Sequence, residues 1–313
     1  MLKSGLHERV GLMAALPGQE ARRLIARIDG VPLFAHAYSH HLNLRFGTAT
    51  PLDLLTFASH HGLVGLKIHV EDGEALSLLR LGTADRRRFG AMAVDLGLQV
   101  HIETSSTERQ AIAATVAIAS DVSATSIRCY PRYAGRVSQI VERVIDDLKA
   151  LADIDYQRRF LFTLEQHEDL KSYELVKIVR AVGNPRLSLM YDFGNMINAG
   201  ERPMDALTVM APLVTDVHVK DVKILPDRGG WAHEACRSGD GNIDFQETLR
   251  HLLLLGTDQP QVTAFGLEEE NGMYAPAYRF PDEADDPCIP PRSPSETPLP
   301  EGVDLKQRLA QER

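Results

Sequence analysis

Apolar, β-rich runs recur along this chain about every 27 to 48 residues, with helix-like segments between them. The eight runs lie near residues 31–39, 63–70, 96–103, 124–129, 160–167, 187–192, 214–220 and 262–268. Strands that alternate with helices form a parallel sheet, and eight such units close into a barrel. The sequence therefore predicts an α/β fold, a (β/α)8 TIM barrel. The alternative is a doubly wound open sheet, but no glycine-rich phosphate turn follows the first run.

The segments between the runs have helical periodicity. The sequence PLDLLTFASHH, at residues 51–61, follows Thr50, whose hydroxyl group suits a helix N-cap. The sequence VSQIVERVIDDLKAL, at residues 137–151, repeats its apolar residues with a period close to that of an α-helix. These patterns support the alternation of strands and helices.

The two ends of the chain depart from the repeat. Residues 1–30 are predicted to be an N-terminal extension that carries one short helix at 19–28. Residues 31–313 are the predicted barrel domain, which includes a Pro-rich segment at 274–302. That segment is either a surface loop or a lid over the barrel mouth. The last pattern, at residues 303–313, fits the eighth helix of the barrel.

Composition limits the partners of the protein. Its formal net charge is −9, whereas nucleic-acid binding requires clustered Lys and Arg. No apolar run approaches the roughly 20 residues that cross a bilayer, and the N-terminus lacks the apolar core of a signal peptide. The cysteines Cys129, Cys236 and Cys288 form no CxxC pair. We therefore predict a cytoplasmic protein with neither nucleic-acid nor membrane partners.

Four of the runs end in a side chain that can bind a metal ion. LFTLE, LSLMYD, VTDVH and VTAFGLE end at Glu165, Asp192, His218 and Glu268. TIM barrels carry their chemistry at the C-terminal ends of the strands, and carboxylates that converge there repel one another unless a cation is bound. A lone strand acid is more often an ion-pair partner, but four such ends together predict a metal site. Three carboxylates with one imidazole favour Mn²⁺, Mg²⁺ or Co²⁺ over Zn²⁺.

Five motifs resemble the xylose-isomerase-like barrel superfamily, which includes sugar epimerases, sugar-phosphate isomerases and inosose dehydratases. They are LEQHED (164–169), YDFGN (191–195), VHVKD (217–221), GDGNIDF (239–245) and GLEEEN (266–271). The resemblance covers roughly residues 31–271 and implies a set of metal ligands: Glu165, Asp192, His218 and Glu268. It also implies that Glu165 and Glu268 move protons, while the metal stabilises an enediolate.

Other polar residues at the predicted barrel mouth are candidate substrate contacts. They are His36, His69, His167, Asn195, Lys220, Arg237 and Glu270. Strand alternation leaves Glu268 and Glu270 as alternatives for the last metal ligand, and we prefer Glu268. Asn195 stands where many members of the resembled family carry a histidine that touches the substrate. An arginine near the metal, from Arg128, Arg237 or Arg279, would favour a substrate with an acidic group.

The resemblance implies a metal-dependent isomerase or epimerase that acts on a small keto-sugar through an enediolate. The alternative is a decarboxylase or other lyase of an oxo-sugar acid, because YRFPDEADDPCIPPR (278–292) resembles a decarboxylase subgroup. Related barrels also form the larger subunit of C-glycoside-cleaving enzymes, so either a homo-oligomer or a small partner subunit fits the sequence. A DNA-repair endonuclease of the same fold is disfavoured by the net charge of −9 and by a ligand set with a single histidine.

Overall fold

The computed structural model describes residues 17–292 and 304–312 of the chain. The strands are β1 (Leu33–His36), β2 (Gly65–His69), β3 (Gln99–Thr104), β4 (Ser126–Cys129), β5 (Gly135–Arg136), β6 (Leu161–Glu165), β7 (Leu187–Asp192), β8 (Val214–Val219), β9 (Asp221–Asp227), β10 (Gly230–Cys236), β11 (Ala264–Leu267), β12 (Tyr274–Ala275) and β13 (Cys288–Ile289). The helices are α1 (Gly18–Ile28), α2 (His41–Arg45), α3 (Pro51–His60), α4 (Thr83–Asp95), α5 (Arg109–Asp121), α6 (Val137–Lys149), α7 (Leu151–Ile154), α8 (Ser172–Val182), α9 (Pro203–Met210), α10 (Phe245–Leu254) and α11 (Leu305–Gln311).

Eight strands close into a parallel barrel in the order β1-β11-β8-β7-β6-β4-β3-β2. Each of the eight predicted runs contains one of these strands, so the (β/α)8 TIM barrel is confirmed and the open sheet is wrong. The helix predicted after Thr50 is α3, and the Thr50 side chain caps it as part of a capping box with Asp53. Among the described residues, no helix is both long and apolar enough to cross a bilayer.

The barrel interior contains an ion pair that the strand pattern only partly anticipates. Because side chains alternate along a strand, Asp216 of β8 points into the barrel. A carboxylate is unfavourable there unless it lies at the solvent-exposed end of the barrel. Instead, Asp216 is buried and pairs closely with Lys67 of β2, which is also buried, and lies 3.7 Å from Nδ1 of His101. Gly266 makes room for this lysine, because a Cβ atom there would lie 2.6 Å from Lys67 Cδ. Lysine, rather than water, therefore neutralises the aspartate.

The N-terminal helix contributes to the ring of helices around the barrel. Helix α1 packs against α10, the helix that precedes β11. Its Arg23 donates to the carbonyl of Leu254 at 2.7 Å, and its Arg27 donates to the carbonyls of Leu253 and Leu255 at 2.8 Å. These guanidinium groups satisfy carbonyl groups at the end of α10. The part of the predicted extension that the structure describes is thus integral to the fold.

The C-terminal helix is not an eighth barrel helix. Helix α11 contacts α2 instead, at the barrel mouth. The carboxylate of Glu312 accepts hydrogen bonds from the backbone N–H groups of Asn43 at 3.0 Å and Leu42 at 3.3 Å. Residues 305–311 of this pattern therefore do form a helix, but the helix packs against α2, which follows β1.

Residues 274–292, which we call the C-terminal strap, run along the barrel mouth. Strand β12 extends the β9–β10 hairpin, and β13 pairs with β5. Within the strap, the buried Arg279 bonds to Glu174 at 3.0 Å and to Glu283 at 2.8 Å. The rest of the predicted loop or lid, residues 293–302, lies outside the described residues. Ion pairs and strand pairing therefore hold the strap against the barrel.

Gly90 provides a test of packing between the helices. An alanine Cβ at this position in α4 would lie 2.7 Å from the backbone of Val122, which cannot rotate away. In a helix interior, alanine is normally more favourable than glycine by about 1 kcal/mol. Forcing an extra methyl group into this close contact, however, costs about 1–3 kcal/mol. We expect Gly90→Ala to lower the free energy of unfolding, as measured by denaturant titration.

Gly82→Ala is the matched control for this substitution. No atom lies within 4 Å of a Cβ atom built at Gly82, where φ is −71°. We expect this variant to lose less stability than Gly90→Ala, because Gly82 is the N-cap of α4, where alanine costs about 1 kcal/mol but meets no neighbouring atom. A Gly90→Ala variant that is as stable as Gly82→Ala would contradict the proposed close approach of α4 to Val122.

Candidate active site

The ends of β6, β7, β8 and β11 bring the four predicted metal ligands together. Nδ1 of His218 lies 3.2 Å from Oε1 of Glu165, 4.0 Å from Oδ2 of Asp192 and 3.5 Å from Oε2 of Glu268. All four residues are buried. The donor atoms of Glu165, Asp192 and His218 lie within 4.8 Å of one another, a separation that one cation can bridge. We call these four residues the donor cluster.

Two members of the donor cluster are oriented by hydrogen bonds on their far sides. The backbone N–H groups of Gly194 and Asn195 donate to Oδ1 of Asp192 at 2.7 and 2.8 Å. Nε2 of His218 lies 3.0 Å from Oε1 of Glu103. Asp192 Oδ2 and His218 Nδ1 make no well-aligned hydrogen bond among the described residues, although Lys220 Nζ lies 3.0 Å from the first and Glu165 Oε1 lies 3.2 Å from the second. Buried polar atoms without partners are costly, so this donor set fits a divalent cation.

Glu103 is a site residue that the sequence analysis missed. Its carboxylate, at the end of β3, accepts from Arg128 at 2.6 Å and lies 3.1 Å from Nε2 of His36 and 3.0 Å from Nε2 of His218. The signal was present in the sequence, since Glu103 ends the third run as Glu165 ends the fifth. Glu103 therefore joins one side of the barrel mouth to the other.

Arg128 is the arginine that reaches the donor cluster. Its Nε lies 3.1 Å from Oε2 of Glu165, and its Nη2 donates to Glu103. The side chain is buried, and Nη1 has no hydrogen-bond partner among the described residues. Arg279, by contrast, is committed to the strap, and Arg237 is exposed. Arg128 is therefore the one of the three predicted arginines placed to bind an acidic group here.

Lys220 lies on the opposite side of the donor cluster from Arg128. Its Nζ is 3.0 Å from both Asp192 Oδ2 and Glu268 Oε2, and 3.4 Å from Glu270. Burial raises the pKa of Asp192 to about 6, although Lys220 opposes this rise. Burial lowers the pKa of His218, but the surrounding carboxylates, Glu268 first, raise it overall to about 10. The site therefore carries an excess of negative charge that additional positive charge would relieve.

A cavity of about 560 Å³ opens above the donor cluster. All the predicted substrate contacts except Arg237 line it: His36, His69, His167, Asn195, Lys220 and Glu270. Arg237 lines a second cavity of about 320 Å³, which His36 and Glu270 also border. The structure thus brings the predicted contacts to one compartment and places Arg237 beside it.

Some of the cavity wall was not foreseen from the sequence. The strap contributes Tyr278 and Arg292, and Arg292 bonds to Glu168 at 2.6 Å and to Asp169 at 3.0 Å. Tyr130 stacks on His167, with ring centroids 3.8 Å apart. His233, from the β9–β10 hairpin, also lines the cavity. Local sequence patterns do not reveal these residues, because the strap is held by ion pairs between residues that are far apart in the sequence.

Comparison with known proteins gives one family match. The family model described as xylose isomerase-like TIM barrel matches residues 55–271 of this chain. A protein of Escherichia coli, described as uncharacterized protein YihM, is 48% identical over 293 residues, covering 94% of this chain and 90% of that protein. The 3-oxo-isoapionate decarboxylase of Pectobacterium atrosepticum is 24% identical over 167 residues, covering 53% of this chain and 60% of that enzyme.

Solved structures share the fold at low sequence identity. A xylose isomerase domain protein from Planctomyces limnophilus has a TM-score of 0.59 and 18% identity, covering 77% of this chain and 90% of its own. A D-psicose 3-epimerase has a TM-score of 0.58 and 13% identity, covering 76% and 84%. A barrel protein from Mycobacterium smegmatis in complex with magnesium has a TM-score of 0.57 and 15% identity, covering 75% and 89%. These likenesses establish the barrel fold.

Glu103 provides a test of the ion-pair network. Glu103→Gln keeps the shape of the side chain but brings an amide N–H group among partners that are themselves donors. We expect the loss of this buried charge to lower the free energy of unfolding by about 3 kcal/mol, as measured by denaturant titration. The control is Glu108→Gln, whose partner Arg143 lies 2.8 Å away with both side chains 55% exposed. That change should lower the free energy of unfolding by less than about 1 kcal/mol. Equal losses in the two variants would contradict a stabilising ion-pair network around Glu103.

Proposed function

This chain belongs to the xylose isomerase-like TIM barrel family, and on that basis we propose that it is a divalent-metal-dependent enzyme acting on a small oxo-sugar derivative. The observation that carries the proposal is the convergence of four donor side chains below a polar cavity of about 560 Å³. Glu165, Asp192, His218 and Glu268 would hold the ion, with Mn²⁺ preferred and Mg²⁺, Co²⁺ or Zn²⁺ as alternatives. When bound, the ion supplies positive charge that stabilises an oxyanion beside the reacting carbon.

We propose decarboxylation of an oxo-sugar acid as the reaction that the geometry supports best. Arg128 lines the cavity, and its Nη1 is a donor without a partner among the described residues. A guanidinium group is suited to a substrate carboxylate because its planar N–H groups match the carboxylate oxygens. The sequence similarity to a decarboxylase, at 24% identity, supports the same reaction class. Arg128 thus supplies the reason to favour an acidic substrate over a neutral sugar.

In this proposal each side of the donor cluster has its own task. Arg128 orients the carboxylate of a substrate whose oxo group is one carbon removed. The bond between the carboxylate and the adjacent carbon breaks, its electron pair moves toward the oxo group, and carbon dioxide leaves. The carbon then takes a proton, for which Glu270 is placed because it lines the cavity and because burial, with Glu268, raises its pKa to about 8. The strap forms part of the cavity wall, through Tyr278 and Arg292 among others.

Isomerisation or epimerisation of a keto-sugar is the second candidate. Its support is the pair of glutamates, Glu165 and Glu268, which both approach Nδ1 of His218. Proton exchange between the two faces of a carbon, or between neighbouring carbons, uses two such groups. Either reaction takes a small carbohydrate as its substrate, and a net charge of −9 argues against nucleic acid.

The two candidates differ in what proton NMR in deuterium oxide would show. We expect the metal-loaded protein to convert an oxo-sugar acid with loss of carbon dioxide and uptake of one solvent deuteron per turnover. Arg128→Lys should lower kcat/KM for that acid about 100-fold, because one of two parallel hydrogen bonds is lost. Deuterium exchange into keto-sugars without loss of a carboxylate would establish the second candidate instead. If the protein neither decarboxylates any oxo-sugar acid tested nor exchanges deuterium into any keto-sugar tested, the proposed function is refuted.

Metal binding is tested separately by thermal unfolding. Treatment with a chelator should lower the Tm, and Mn²⁺ at 100 times its Kd should restore about 2.7 kcal/mol of stability. Asp192→Asn should abolish this response because one buried ligand charge is lost. Asp205→Asn, at an exposed position in α9, is the control and should respond like the wild type. Identical melting curves with chelator and with Mn²⁺ would rule out a bound ion in the native protein.

A further inference from the structure

Three arginines line the cavity above the donor cluster, and they differ in how their charge is compensated. Arg128 lies 2.6 Å from Glu103, and Arg292 lies 2.6 Å from Glu168. Arg132, in contrast, forms no ion pair with any carboxylate in residues 17–292 and 304–312. The cavity therefore contains one guanidinium group whose charge is not neutralised by a neighbouring side chain of the described chain.

The guanidinium group of Arg132 is held along one edge. Its Nε and Nη2 donate to the phenolic oxygen of Tyr130 at 3.2 and 2.7 Å. A phenol is a neutral acceptor, so these contacts orient the guanidinium group without removing its charge. The other edge, formed by Nη1 and the outer N–H of Nη2, bonds to none of the described residues. Its two parallel donors match the oxygens of a carboxylate or a phosphate.

Arg132 is close enough to the donor cluster for one small ligand to reach both. The Cζ atoms of Arg128 and Arg132 lie 5.0 and 5.3 Å from the centroid of the same ring, that of Tyr130. Arg128 in turn lies 3.1 Å from Glu165. Arg128 is buried whereas Arg132 is exposed, so Arg132 lies nearer the entrance of the cavity. A short sugar acid can therefore extend from one guanidinium group to the other.

The wall of the cavity is divided by charge. The segment after β2 contributes Glu71, Asp72 and Glu74, whereas the segment after β4 contributes Arg132 and the strap contributes Arg292. An anionic group that enters the cavity is repelled on the β2 side and attracted on the β4 side. This asymmetry favours one position for such a group, next to Arg132.

We propose that Arg132 forms an outer anion subsite, which binds a second anionic group, a carboxylate or a phosphate, at the far end of the substrate. Arg128 then holds the carboxylate beside the reacting carbon, and Arg132 determines specificity by recognising the end that does not react. The inference rests on the proposed function for the identity of the reacting group. It narrows the substrate class to oxo-sugar acids that carry a second negative charge.

Calorimetric binding of a matched set of ligands to the Mg²⁺-loaded protein, at constant free Mg²⁺, tests this subsite without requiring turnover. Erythronate, meso-tartrate and 4-phosphoerythronate share a carboxylate and differ at the other end, which is a hydroxyl group, a carboxylate and a phosphate respectively. We expect at least one of the dianions to bind about 10- to 100-fold more tightly than erythronate, as for hydrogen bonds to a charged group. The tighter dianion identifies the anionic group. Equal Kd values for the whole set, or no binding of any member, would overturn the proposal.

Substitutions of Arg132 test whether this residue is the cause of the preference. Arg132→Gln should reduce the ratio of Kd values to about 1, and Arg132→Lys, which keeps the charge without the paired N–H groups, should retain part of it. Arg143→Gln is the matched control, because Cζ of Arg143 lies 3.7 Å from the Tyr133 ring centroid but the residue does not line the cavity. This control should keep the wild-type ratio. An undiminished ratio in Arg132→Gln would refute the subsite.

These measurements separate the subsite from the proposed function. If no oxo-sugar acid is turned over but the preference for a dianion depends on Arg132, the proposed function fails and the subsite stands. If an oxo-sugar acid loses carbon dioxide but erythronate binds as tightly as the dianions, the proposed function stands and the subsite fails.

Discussion

The feature on which this site depends is the concentration of buried negative charge where the barrel strands end. Closure of the barrel places Glu103, Glu165, Asp192 and Glu268 around one point, where water cannot screen their repulsion. The groups packed around these carboxylates compensate their charge. Arg128 and Lys220 neutralise it from opposite sides, and backbone N–H groups hold the far oxygen of Asp192. The proposed divalent cation would complete the same compensation.

Much of this arrangement was predictable because it depends on short-range patterns. Apolar runs of strand length, each followed by a helical segment, predicted all eight barrel strands, and the shared direction of parallel strands predicted that their last side chains would meet. Contacts across the barrel were not predictable in this way. Glu103 reaches His218 from the other side of the mouth, and that contact depends on barrel diameter and rotamers. Asp216 likewise finds Lys67 only because the barrel closes.

The helices at the two ends of the chain were predicted, but their packing and that of the strap could not be, for a different reason. After β11 the chain enters the strap rather than a helix, and α1 packs against α10 from the other end of the sequence. A Pro-rich composition indicates only that a segment is neither helix nor long strand. The docking of the strap depends on Arg279 meeting Glu174 and Arg292 meeting Asp169, pairs separated by more than a hundred residues. Local periodicity carries no information about such pairs.

The cations of the site and its protonated carboxyl group differ in a way that bears on its chemistry. Arg128 lies against Glu165, and a guanidinium group remains protonated at every pH that a folded protein tolerates. It can bind and orient an anion but cannot supply a proton. Burial lowers the pKa of Lys220, but Asp192, Glu268 and Glu270 raise it overall, so Lys220 also stays protonated. Glu270, which lies 3.4 Å from Lys220, can give up a proton because burial and Glu268 raise its pKa to about 8. Proton delivery is therefore available from one side of the cluster, which suits a reaction that needs a single proton after carbon dioxide leaves.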